Sequence, residues 1–212
     1  MSRISIKMAD ITKMDVECIV NAANEHLAQG GGVCGAIFAA AGAESLRKAC
    51  SRIGHCDTGN AVITPGFGLK AKYIIHAVGP VWHGGEDGEE DDLYDCYSHS
   101  LELAMENDIH SIAFPLISSG IFGYPKQEAW EMAIYACEDF ITNNEDYDID
   151  ITFAVLNEAA RSLGQEMLDK IEVIYLPSQD ELELQEGAEA YNAGDFARTV
   201  TITAGDGRES GD

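Results

Sequence analysis

The sequence predicts a three-layer α/β/α domain with a mixed, largely parallel central sheet. Short runs rich in β-branched and apolar residues alternate along the chain with longer segments of helical periodicity. Such alternation requires crossover connections, which make the strands parallel and place helices on both faces of the sheet. The 212 residues, 46 % of them hydrophobic, suffice for one core of this kind.

The elements follow one another in the order that this fold requires. Strands are predicted at residues 4–8, 17–22, 61–64, 73–78, 111–115 and 149–156. Helices are predicted at residues 35–49, 92–107, 125–141 and 158–170. Pro125 occupies the position favoured in the first turn of a helix. We expect the domain to comprise residues 1–177.

The remaining residues, 178–212, differ in composition from the domain. They carry nine acidic and two basic residues and few large apolar ones. Residues 186–200 resemble the opening of a tetratricopeptide-like or Sel1-like helical repeat, which cannot bury its apolar face alone. A solvated acidic tail is the alternative interpretation of this extension.

The charge of the chain excludes several classes of partner. Thirteen Lys and Arg residues against 37 Asp and Glu residues give a net charge of −24, which repels polyanions. We therefore expect neither nucleic acid nor a membrane as partner. No apolar run approaches the roughly 20 residues that span a bilayer, and the first residues lack the apolar core of a secretory signal. A cytoplasmic monomer is expected.

The six cysteines show no Cys-x-x-Cys pair and no zinc-type spacing with histidine. We interpret them as reduced thiols and expect neither a metal nor a cofactor. The acidic run at residues 86–92 lacks the pattern of a calcium loop. It is interpreted as a solvated segment before a helix, where carboxylates interact favourably with the helix dipole.

Two glycine-containing loops are the candidate functional site. The first runs from Asn21 to Gly35 and the second from Ser118 to Pro125, and each lies between a predicted strand and a predicted helix. Ligands of open parallel sheets bind beyond the carboxyl ends of the strands, so both loops are expected at that edge. Glycine amides and the free amides of a helix N-terminus would form a cradle for a diphosphate. Plain tight turns are the alternative.

Two common nucleotide-binding motifs do not fit the first loop. Gly30, Gly32 and Gly35 match G-x-G-x-x-G, but several residues separate them from the preceding strand and no acidic residue ends the next one. Gly35 is followed by Ala36 where a P-loop has lysine. A nicotinamide dehydrogenase and a P-loop NTPase are both disfavoured.

Four motifs together resemble those of the macrodomain family. They are Asp10-Ile11, the run NAAN at 21–24, the run GGGV at 30–33 with Gly35-Ala-Ile37, and the run SGIFGYP at 119–125. The likeness covers about residues 3–175. It implies a site for ADP-ribose or an ADP-ribosylated protein.

The resemblance also implies roles for individual residues. Asp10 and the Ile11 amide would bind adenine, Asn24 the distal ribose, and the amides of residues 32–35 the phosphates. Residues 119–122 would close over the diphosphate, with Phe122 covering the distal ribose. The full set of implied ligand-binding residues is Asp10, Ile11, Ala22, Asn24, Gly32, Val33, Gly35, Ile37, Ser118, Ser119, Gly120, Ile121, Phe122, Leu156 and Asn157.

The resemblance leaves two functions open. One is hydrolysis of ADP-ribosyl esters, with Asn24, Gly32 and Cys34 as candidate catalytic residues; the other is an ADP-ribose reader without turnover. Cys34 and Phe38 stand where many hydrolytic members carry Asp and His, and Leu156 or Asn157 where an aromatic residue commonly stacks on adenine. Cys34 near a helix N-terminus is either a reactive nucleophile or a small space-filling residue.

Overall fold

The computed structural model of the chain describes residues 2–175. The expectations for the extension, residues 178–212, lie outside this part of the chain. Within it, no helix is both long and apolar enough to cross a membrane.

Six strands and five α-helices make up the described residues. The strands are β1 (Arg3–Met8), β2 (Cys18–Ala22), β3 (Ala61–Pro65), β4 (Tyr73–Ala77), β5 (Ser111–Phe114) and β6 (Asp150–Val155). The helices are α1 (Gly32–Ala41), α2 (Ala43–Ile53), α3 (Glu89–Glu106), α4 (Lys126–Asn143) and α5 (Glu158–Tyr175). A short 3-10 helix, Ile11–Lys13, follows β1.

The strands form one mixed sheet in the order β1-β6-β5-β2-β4-β3. Every neighbouring pair is parallel except β3 and β4, which are antiparallel. The carboxyl ends of β1, β6, β5, β2 and β4 therefore meet at one edge of the sheet. The predicted fold class, a three-layer α/β/α domain with a largely parallel sheet, is confirmed.

Two hydrophobic cores lie on opposite faces of the sheet. In β2, Val20 packs into one core and Ile19 into the other, as the alternation of side chains in a strand requires. Helices α3, α4 and α5 cover the first core, which contains the fully buried Trp130. Helices α1 and α2 cover the second, which contains the fully buried Phe38. Burial of each such side chain stabilises the fold by about 1.5–3 kcal/mol.

The helix predicted at residues 35–49 is in fact two helices. Gly42 adopts φ +94° and ends α1, and α2 begins at the next residue. Residues with a Cβ rarely adopt such a φ, so the break depends on glycine. Apolar periodicity continues across the break, because Ile37 and Leu46 enter the same core. That continuity is why the pattern predicted a single helix.

Candidate functional site

A cleft of about 630 Å³ lies at the carboxyl edge of the sheet. It is lined by residues that follow the ends of β1, β2, β5 and β6, together with the first turns of α1 and α4. A second cavity of about 440 Å³ lies between α3 and α4, where Glu102, Glu106 and Asp139 make its wall acidic. The larger cleft contains both predicted loops and is the candidate site.

The first loop, predicted from Asn21 to Gly35, joins the end of β2 to the first turn of α1 and brings backbone amides to the cleft. Gly31 precedes α1 as its N-cap, and Gly30, Gly31 and Gly32 all line the cavity. The amides in the first turn of a helix have no partner within the helix, so they are available to an anion. Val33 also lines the cleft, whereas Gly35 does not.

Gly35 supports the loop from below instead. A Cβ at this position would lie 2.8 Å from the carbonyl oxygen of Gly30. The loop can therefore approach the helix only because residue 35 has no side chain. Ile37, another residue of the implied binding set, is fully buried in the core beneath α1 and does not line the cleft. Gly35 and Ile37 were both expected to contact the ligand, but their positions favour a role in supporting the loop and the core.

Cys34 anchors the loop through its sulfur. Its Sγ accepts a hydrogen bond from the Gly30 amide at 3.3 Å and a longer one from Asn21 Nδ2 at 3.7 Å. The residue is only 5 % exposed. The position near the start of α1 was predicted correctly, but the sulfur is engaged with the loop, which favours the space-filling interpretation over the nucleophile.

A buried polar network beneath Cys34 was not found from the sequence. Asn21 and His76 are register partners on β2 and β4, and Asn21 Nδ2 lies 3.1 Å from His76 Nδ1. Thr64 Oγ1 lies 2.9 Å from His76 Nε2. Burial lowers the pKa of His76 to about 4, so the ring is neutral at physiological pH. Only the strand register, which the sequence does not reveal, could have joined these residues.

Asn24 lines the cleft and holds the first loop together. Its Nδ2 donates to the Ala28 carbonyl oxygen at 2.9 Å, and its Oδ1 accepts from the Ala28 amide at 3.1 Å. An amide group retains one more hydrogen and one more lone pair, so further bonds to a ligand hydroxyl are open to it. Ala22, at the end of β2, also lines the cleft.

Asp10 and Ile11 lie at the end of the cleft formed by β1. Asp10 Oδ1 accepts from the Thr12 hydroxyl at 2.7 Å and the Thr12 amide at 3.0 Å, and Oδ2 lies 3.2 Å from Lys13 Nζ. These contacts, the Thr12 hydroxyl first, hold the pKa of Asp10 below its usual range. The carboxylate is therefore an ionised acceptor at the rim.

The second loop, predicted from Ser118 to Pro125, lies between β5 and α4 and faces the first across the cleft. Residues 118–122 all line the cavity, and Ile121, 82 % exposed, is close enough to Gly31 that a Cβ there would lie 3.4 Å from Ile121 Cδ1. The Tyr124 amide donates to the Ser118 carbonyl oxygen at 3.0 Å, which closes the loop. Ser118 itself has φ +62°. The expected convergence of the two loops is present.

Further lining residues come from the segment before α5 and from the start of α4. Leu156 is 81 % exposed, and Asn157 Oδ1 accepts from the Ala160 amide, capping α5. No aromatic side chain of the described residues takes the place opposite Asp10 at the end of β6. Lys126, missed in the sequence, is the one cationic side chain among the described residues that line the cleft. The signal in the sequence is its position directly after Pro125, the last residue of the run SGIFGYP.

Comparisons with known proteins agree with this geometry. The Macro domain family model matches residues 20–133. A Macro domain-containing protein of Methanosarcina mazei is 52 % identical over 143 residues, which are 68 % of this chain and 76 % of the relative. A protein of Escherichia fergusonii named O-acetyl-ADP-ribose deacetylase is 50 % identical over 147 residues, 68 % of this chain and 82 % of the relative.

The structure also resembles a solved macrodomain. The macrodomain of Oceanobacillus iheyensis with ADP superimposes with a TM-score of 0.74 and 40 % sequence identity, covering 78 % of this chain and 90 % of that one. The motifs, the mixed six-stranded sheet and these likenesses agree. This chain belongs to the Macro domain family.

Proposed function

We propose that the cleft binds ADP-ribose and that the protein hydrolyses ADP-ribosyl esters, either on mono-ADP-ribosylated proteins or in O-acetyl-ADP-ribose. The observation that carries this proposal is the convergence of two amide-rich loops on one cavity. The names of the relatives, with a deacetylase of O-acetyl-ADP-ribose among them, support the choice of ligand and reaction. The ADP in the Oceanobacillus structure supports a ligand that contains a nucleoside diphosphate.

The proposed orientation of the ligand follows the chemistry of the cleft. Adenine lies at Asp10, whose ionised carboxylate accepts from the exocyclic amine and cannot bond the carbonyl of guanine. The amides of the first turn of α1 bind the diphosphate, and residues 118–122 cover it. The distal ribose then reaches Asn24 and Phe122. The attraction between the phosphates and the amides at hydrogen-bond distance outweighs the repulsion by distant carboxylates, because that repulsion is screened beyond about 8 Å.

The proposed hydrolysis uses water rather than a protein nucleophile. Asn24 orients the distal ribose, and a water held by the ligand's own phosphate attacks the ester carbonyl carbon. The developing oxyanion is stabilised by loop amides, including that of Gly32. The bond between the carbonyl carbon and the ribose oxygen then breaks, and one proton of the attacking water passes to that oxygen, which releases a carboxylic acid and ADP-ribose. Cys34 supports the loop in this scheme, so Cys34→Ala is expected to retain turnover.

A reader of ADP-ribosylated proteins without turnover is the second candidate. Phe38 is fully buried in the core and has no polar group that could assist water. We also propose that residues 1–177 form the whole domain, that residues 178–212 are a separate extension, and that the protein acts as a cytoplasmic monomer.

Incubation with O-acetyl-ADP-ribose tests the enzymatic proposal. Hydrolysis predicts acetate and ADP-ribose released in equal amounts, at a rate proportional to the protein concentration. Binding of ADP-ribose without release above a buffer blank at micromolar protein leaves only the reader. Loss of turnover in Cys34→Ala, with ADP-ribose binding retained, contradicts the supporting role of Cys34.

A further inference from the structure

Glu89 is the only buried carboxylate among residues 2–170, whose burial the structure describes. It opens α3 and is 2 % exposed. Oε1 accepts from the amides of His83 at 2.8 Å and Gly85 at 3.2 Å, and Oε2 accepts from the amide of Asp87 at 2.8 Å. These backbone hydrogen bonds, that of His83 first, lower the pKa of Glu89 to about 2 against the effect of burial. The interpretation of the acidic run as a solvated segment is therefore wrong for this residue.

The segment that Glu89 holds, residues 83–88, lies outside helix and strand. It has the sequence HGGEDG, and three of its glycines have positive φ. Residues 83–88 are exposed, but the amides of His83, Gly85 and Asp87 point to the buried Glu89 carboxylate, which accepts all three. The path of residues 83–88 therefore depends on both oxygens of Glu89.

The same segment continues into a direct contact with the cleft. The Trp82 amide donates to the Phe122 carbonyl oxygen at 2.8 Å, and the Trp82 ring packs on Tyr124 with centroids 4.6 Å apart. At Gly79, three residues earlier, a Cβ would lie 2.3 Å from Ser118 Oγ. Residues 79–82 thus support the second loop of the cleft along its length.

From this chain of contacts we infer that Glu89 is a positioning residue for the cleft. It holds residues 83–88, of which Gly85 lies so close to the Trp82 ring that a Cβ would be 2.8 Å from it, and the Trp82 amide bonds Phe122, which lines the cavity. The inference rests on the proposed function only in naming ADP-ribose as the ligand that Phe122 contacts. Glu89 itself touches neither the cleft nor the ligand, so its effect passes through the second loop.

The chemistry of the contact requires a carboxylate. In Glu89→Gln, the remaining carbonyl oxygen can still accept from His83 and Gly85, but an NH₂ group would face the Asp87 amide, donor against donor. We expect this variant to fold with a loosened segment. Trp82→Leu keeps the backbone amide that bonds Phe122 but removes the ring that packs on Tyr124, so we expect faster exchange of the Tyr124 amide in this variant.

Hydrogen exchange of the protein without ligand tests the path itself. In Glu89→Gln, the amides of Trp82 and Tyr124 should exchange faster than in the wild type, by roughly tenfold if one supporting bond is lost. Glu17→Gln is the matched control, because Glu17 Oε2 accepts the His110 amide at 2.7 Å on the opposite edge of the sheet. Unchanged exchange at these two amides in Glu89→Gln would overturn the inference.

Binding measurements on the same variants test the consequence for the ligand. ADP-ribose, which spans both loops, should bind roughly fivefold more weakly to Glu89→Gln, while AMP, which ends before Phe122, should bind unchanged. Equal loss for both ligands, or no loss for either, contradicts a positioning role. If the wild type fails to bind ADP-ribose at all, the proposed function falls, and hydrogen exchange alone decides on Glu89.

Discussion

Gly35→Ala should weaken ADP-ribose binding although residue 35 does not line the cleft. The added Cβ would lie 2.8 Å from the Gly30 carbonyl oxygen, a backbone atom with no rotamer by which to move away. Helix α1 cannot yield, because Ile37 and Phe38 are fully buried on its inner face. The first loop must therefore shift, and the amides of Gly31 and Gly32 shift with it.

Two opposing effects set the change in stability. Alanine in a helix is favoured over glycine by about 1 kcal/mol, whereas overpacking costs about 1–3 kcal/mol. The close approach involves backbone, so the cost prevails, and we expect a net loss of about 1 kcal/mol, or about 2–4 °C in Tm. Hydrogen bonds to a charged phosphate are worth about 1.5–3 kcal/mol each, so misplacing one predicts at least about tenfold weaker binding.

Calorimetric titration with ADP-ribose and thermal unfolding measure the two effects separately. Gly120→Ala is the control for stability, because its Cβ would meet nothing within 4 Å. An affinity of Gly35→Ala equal to that of the wild type would refute the view that this close approach sets the position of the loop.

Three further predictions follow from the same structure. Asp10→Asn keeps the cap on Thr12 and should weaken adenine binding by only about 1 kcal/mol, because 44 % of the Asp10 side chain is open to water. Equal ADP-ribose affinity in the variant and the wild type would count against the adenine contact. The affinity of the wild type should be constant from pH 8 to 5, because the lowered pKa of Asp10 keeps its carboxylate ionised. Lys126→Met should weaken ADP-ribose binding at low salt more than at high salt, whereas Lys72→Met, on the opposite edge, should not; a salt-independent loss would exclude an ionic contact. The free energy of unfolding should fall as the pH drops from 6.5 towards 4, by up to about 1.4 kcal/mol per pH unit, because unfolded histidine binds a proton that buried His76 does not, and His76→Gln should lose this slope.

The positions of the two loops could be predicted from the sequence because they follow from topology. Parallel strands end at a common edge, so Asn24 and Ser118 meet although they lie far apart in the chain. The motifs also indicated the family, on which the proposed ligand depends.

Contacts that depend on register or on local backbone geometry could not be predicted. Asn21 and His76 meet only because β2 and β4 pair in one particular register. Glu89 stands in a run of similar acids, and nothing in that run distinguishes the carboxylate that turns inward. The break at Gly42 leaves the apolar periodicity intact, so periodicity could not reveal it.

The measurement that most directly tests joint binding of a diphosphate by the two loops is calorimetric titration with ADP-ribose and, in parallel, with adenosine. If the loop amides supply most of the binding energy, ADP-ribose should bind at least about a hundredfold more tightly than adenosine, since two charge-assisted bonds are worth about 3–6 kcal/mol. Equal affinities for the two ligands, or no saturable heat with ADP-ribose, would contradict the account.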